Sequence, residues 1–109
     1  LERVAQLEAQ AREAHADFER AVPATRSAIA ERGGVGSKSW GRAEVAYANL
    51  RSIRSRTSIP LADLDTLVAV RSVDGEPVAI STQRSTFLRD TVLGLIAQED
   101  GVLDELSPR

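Results

Sequence analysis

Cysteine and methionine are absent from the 109 residues, histidine occurs once, and only four side chains are aromatic. Without thiols there are no disulfide frameworks, thiolate nucleophiles, Cys-ligated zinc sites or iron–sulfur clusters. The lone His15 cannot build a multi-histidine metal centre. Charge of one sign is lacking too: 14 basic against 16 acidic residues leave a net charge of -2. No domain-wide positive field therefore draws the chain to phosphate backbones or an anionic membrane, and nucleic acid is not an expected partner. No apolar run approaches the ~18 residues of a membrane span, and the N-terminus lacks the charged, apolar and small-residue order of a signal peptide. Glycine and proline are sparse, at seven and four residues.

What remains is a composition that favours helix, with 42% hydrophobic and 28% charged residues and 16 alanines. The basic residues are 13 arginines and the single Lys38, which together with the alanine excess resembles the codon bias of a GC-rich bacterial genome. The length suits one domain over residues 1–109. Cysteine absence fits either a reducing or an extracytoplasmic compartment. The missing initiator methionine tips the expectation to a trimmed, extracytoplasmic bacterial product.

Apolar spacing predicts three long helices. From Leu1 to Arg32 no glycine intervenes, and Val4, Leu7, Ala11, Ala14, Phe18, Ala21, Thr25 and Ala28 recur at alternating steps of three and four. Pro23 lies inside this run. An internal proline costs about 3 kcal/mol, yet the stripe keeps its phase across it, so one kinked helix is expected. Gly33 to Ser39 follow as a flexible turn. The second helix, over about 38 to 72, carries Trp40, Ala43, Tyr47, Leu50, Arg54, Thr57, Leu61, Leu64, Val68 and Arg71. Pro60 bends it or, in the alternative, breaks it and gives a four-helix variant. After the Asp74–Pro77 turn the third helix sets Leu88, Val92, Leu95, Glu99, Val102 and Leu106 on one stripe, with Ile80, Phe87, Thr91, Ile96 and Leu103 beside it. Leu67–Val70 is the one strand-like run, and it fits the helical phase better. Lengths of roughly 30 to 35 residues joined by short turns predict an all-α, antiparallel up-down-up bundle of three helices.

Hairpins turning near residues 35 and 75 set His15 and Asp17 opposite Arg51, Ile53 and Arg54, Glu99 or Asp100 near Arg51, and Arg54 near Ile96. Arg54, Arg71 and Glu99 stand at stripe positions where aliphatics belong. Each must find an opposite charge or reach outward, because an unpaired buried charge costs several kcal/mol. Around the glycine turn the spacing of a phosphate loop is missing, since Ser37 precedes Lys38 where that motif has glycine. Arg32, Lys38 and Arg42 flank the turn, and the next helix's free amides make weak binding of a sulfate or phosphate there an expectation. Trp40 and Tyr47, seven residues apart, read either as a plug at one end of the bundle or as an aromatic contact patch.

No catalytic constellation emerges. The alanine-rich first stripe lets helices approach to about 8 Å and leaves little room for a cofactor, and no Glu-x-x-His pair of a di-iron bundle occurs. The expectation is therefore a non-catalytic helical bundle without cofactor or metal. Its role would be interaction with a protein partner or with itself as a homodimer, through faces that carry Val45, Val70, Val78 and Leu93. The alternative is a domain that binds a small or anionic ligand. The residues expected to make either contact are Trp40, Tyr47, Arg42, Arg51 and Arg54.

Overall fold

The computed structural model describes residues 2–31, 40–69 and 82–107 of the chain. They form three helices, α1 (Glu2–Glu31), α2 (Trp40–Ala69) and α3 (Thr82–Leu106), and contain no strand. At 1.5 Å per residue these rods of 30, 30 and 25 residues are about 45, 45 and 38 Å long. The Gly33–Ser39 turn with its expected anion site, the Asp74–Pro77 turn, and Val70, Arg71, Val78 and Ile80 lie outside the described residues.

Both prolines are carried inside helices. The described α2 runs through Pro60 without a break, so its residues do not take the four-helix alternative. The missing amide hydrogens deprive the carbonyls of Glu19 and Arg56, one turn back, and the hydroxyls nearby bond other carbonyls of the same turns. Thr25 Oγ1 donates to the Ala21 carbonyl at 2.9 Å beside Pro23. Ahead of Pro60, Ser55 and Ser58 donate to the carbonyls of Arg51 and Ser55 at 3.2 and 2.7 Å. Serine and threonine suit this task because their short side chains fold back onto the preceding turn. The polar run before Pro60 folds back within a continuous helix and caps no new one.

The stripe read from the sequence is the buried face. On α1 it buries Val4, Leu7, Ala11, Ala14, Phe18 and Thr25; on α2, Ala43, Leu50, Thr57 and Leu64; on α3, Leu88, Val92, Glu99 and Leu106, with Ile96, read beside the stripe, buried as well and Leu95 and Val102, read on it, only half-buried. Two apolar clusters result. Val4, Leu7, Ala11, Leu64, Leu88, Val92 and Ile96 form one; Phe18, Leu50, Ile53 and Leu106 form the other, with Tyr47, Val102 and Leu103 packed against it. Between them along every helix falls a polar layer of His15, Thr57 and Glu99. Phe87, expected beside the α3 stripe, is 63% exposed. It lines a shallow surface groove with Val4 and Glu8 of α1, next to Leu88.

Cross-helix pairs fix the register. Arg42, Arg56 and Asp63 of α2 meet Glu31, Asp17 and Arg3 of α1 at 3.9, 2.8 and 3.6 Å. Arg54 and Asp65 of α2 meet Asp100 and Arg89 of α3 at 2.8 and 2.6 Å. Asp17 therefore finds Arg56 and not Arg54, and Arg54 finds Asp100 and not Ile96. Both pairings sit about one helical turn from their expected places, since a one-turn slide returns the same face to the partner helix.

Candidate functional site

Three places stand out from the ordinary solvated surface: the polar layer inside the bundle, a groove between α2 and α3, and the outer face of α2. In the polar layer the Glu99 side chain is fully buried and His15 is 8% exposed. His15 Nδ1 lies 2.7 Å from Glu99 Oε2, and its Nε2 lies 3.1 Å from Glu19 Oε1. Thr57 Oγ1 donates to the same Glu99 oxygen at 2.9 Å, while Glu99 Oε1 is buried with no hydrogen-bond partner. The two carboxylates occupy opposite ring nitrogens and do not converge on a point, and no group of three metal-ligating side chains forms among the described residues. The cluster thus joins all three helices. His15 supplies α1, Thr57 α2 and Glu99 α3. Burying such a pair costs desolvation that its mutual attraction roughly balances, so its yield is specificity of register more than stability.

The groove of about 530 Å³ is lined by Ala48, Arg51, Ser52, Arg54 and Ser55 of α2 and by Asp100 and Leu103 of α3. Two of the expected contact residues, Arg51 and Arg54, therefore share one surface. Their states differ. Arg54 grips Asp100 with Nε at 2.8 Å and Nη2 at 3.2 Å. That fork holds the Asp100 carboxyl below the usual aspartate range and raises the guanidinium, with burial opposing both and the Glu99 charge adding to the rise. Arg51 is exposed and has no ion-pair partner among the described residues. Arg42 is exposed and only loosely paired with Glu31. Tyr47 is half-buried, and its hydroxyl donates to the Leu103 carbonyl at 2.9 Å, which ties α2 to α3. The side chain of Trp40 lies outside the described residues, as does the aromatic patch it would share with Tyr47.

The outer face of α2 was only partly anticipated, through Val45. Opposite the buried stripe, Val45, Ala48, Ser52, Ser55, Ile59, Ala62 and Thr66 follow one another at steps of three and four, and all seven are exposed. None is charged. Val45 and Ile59 keep 72% and 53% of their surface in solvent. The signal was present in the sequence as a second stripe of the same period on one helix, masked by the greater hydrophobicity of the first.

Surface ion pairs elsewhere lace the helices together. Arg56 and Arg20 hold the Asp17 carboxyl low, and Arg26 does the same for Glu105. A carboxylate depressed in the folded state contributes stability above its unfolded pKa of about 4 and loses it as pH falls through the lower folded value. The melting temperature is accordingly expected to be insensitive to these groups above about pH 5 and to drop below pH 4. Arg54→Met should flatten part of that acid limb in a circular-dichroism melt series, and an unchanged limb would remove the Asp100 contribution.

No protein-family model, curated protein or solved structure matches this chain. No described helix is long and apolar enough to cross a membrane.

Proposed function

We propose that this chain is a non-catalytic, antiparallel up-down-up three-helix module that associates with a second copy of itself through the outer face of α2. The single observation that carries the reading is the uncharged stripe from Val45 to Thr66. A solvated helix face normally alternates charge with small polar groups, whereas seven uncharged positions at three-and-four spacing repeat the pattern of a packing seam. The inverse order of the cross-helix ion pairs between α1 and α2, and again between α2 and α3, supports the antiparallel arrangement.

Charge favours a like partner. Glu44 and Arg51 lie on one flank of the stripe, seven residues apart, both exposed and both without an ion pair among the described residues. A two-fold axis near Ala48 would set Glu44 of each copy across from Arg51 of the other, as isologous contacts require. About that axis Gly41, Val45, Ala48, Ser52 and Ser55 face one another, small enough for close approach of two helices, so the contact takes the N-terminal half of the stripe and leaves Ile59, Ala62 and Thr66 outside it.

Light scattering across protein concentration tests the proposal. The wild-type chain should gain mass towards a dimer. Ser52→Glu buries an unpaired charge twice in one symmetric contact and should weaken association by at least about 100-fold. A mass that stays monomeric at high concentration would overturn it.

A second reading, an anionic ligand in the α2–α3 groove, is favoured by the unpaired Arg51 beside the hydroxyls of Ser52 and Ser55. Calorimetry with inorganic phosphate separates the two, since a strictly monomeric chain with saturable heat would support the ligand.

A further inference from the structure

We propose that the cleft between α1 and α3 binds a small amine, a primary alkylammonium whose apolar body lies on Phe18 and whose charged head meets Glu19. The cleft holds about 230 Å³, less than a drug-sized ligand fills but enough for one ring or a short chain. Its floor is the buried ring of Phe18, and its walls are the half-buried Val22 of α1 and Val102 of α3. These three side chains offer contact and no hydrogen bond, so they select an apolar body.

The rim supplies acceptors. His15 engages Glu19 Oε1 at 3.1 Å, which leaves the second oxygen of that carboxylate without a partner among the described residues. Pro23 adds another, because it brings no amide hydrogen to the Glu19 carbonyl one turn back, and both residues line the cleft. Gln98 contributes a side-chain amide oxygen from α3. An ammonium head, which has three N–H donors and no acceptor, matches this set, whereas an anion would meet the Glu19 charge. No arginine answers that charge within the protein. Arg12 is held by Glu8, Arg20 by Asp17 and Arg26 by Glu105. Shape, apolar lining and unspent acceptors therefore point to one ligand chemistry. The cleft contains no residue of α2, so it stands or falls independently of self-association.

Phenethylamine, fully charged at pH 7, is the probe, titrated into the wild-type chain while the methyl signals of Val22 and Val102 are followed by nuclear magnetic resonance. Both should shift saturably, together with the ring protons of His15, the one histidine of the chain, while the Val45 methyls on the outer face of α2 stay in place. The neutral isostere 2-phenylethanol isolates the charge. The Glu19 side chain is 69% exposed, so solvent screens its pull, and the alcohol should bind about two- to five-fold more weakly than the amine. Glu19→Gln, a change at an exposed position, should weaken the amine by the same factor and leave the alcohol where it was. Absent or unsaturable shifts at Val22 and Val102, equal shifts at Val45, equal affinity for amine and alcohol in the wild type, or a preference that survives Glu19→Gln would each overturn the proposal.

Discussion

Truncation of His15 to alanine is expected to cost the bundle about 3–5 kcal/mol in urea unfolding, the range found when one member of a buried ion pair is removed. Glu99 would be left without solvent and with one hydroxyl donor, its Thr57 contact at 2.9 Å. A small domain commonly has only about 5–15 kcal/mol in total, so the loss approaches the whole margin. The double substitution His15→Leu with Glu99→Leu tells the origin of that cost. Both groups lie between two apolar clusters, so the pair should be more stable than His15→Ala alone and close to wild type. If the double variant is as damaged as the single, the cost lies in lost shape and not in a stranded charge.

The second large effect belongs to Phe18, 1% exposed at the centre of the cluster with Leu50, Ile53 and Leu106. Phe18→Ala is expected to lose about 3–5 kcal/mol through lost transfer energy and the cavity left behind, because rigid helices on three sides collapse only partly. Phe87→Ala is the internal control. Its ring is 63% exposed, so the same chemical change there should fall within about 0.5 kcal/mol. Equal losses at the two positions would mean that Phe87 covers a surface in solution, which the melting behaviour at low and high concentration would then reveal.

Much of the candidate site was legible, though unevenly. Arg54 and Glu99 betrayed themselves as charges on an apolar stripe, and each proved to need a partner: Asp100 for one and His15 for the other. Glu19 follows His15 by four residues, so their contact at 3.1 Å needs nothing beyond a helix. The link between His15 and Glu99 was not legible, since 84 residues separate them and any carboxylate of the layer satisfies the same pattern. The groove joining Arg51 to Arg54 depended likewise on which turn of α3 lies beside Ser55.

Local periodicity by itself determined that residues 2–31, 40–69 and 82–106 are helical and most of the face that each buries, while it left open whether Pro60 bends or breaks the second helix. Those properties are written along one strand of chain, because the 3.6-residue repeat of a helix is a relation between near neighbours. Only the tertiary structure decided the axial offset of the rods, and with it the pairing of Asp17 with Arg56, of Arg54 with Asp100 and of His15 with Glu99. Sliding one helix by a turn of about 5.4 Å presents the same stripe to its neighbour. Apolar contacts barely register such a slip, whereas a buried histidine and glutamate satisfy each other in one alignment alone.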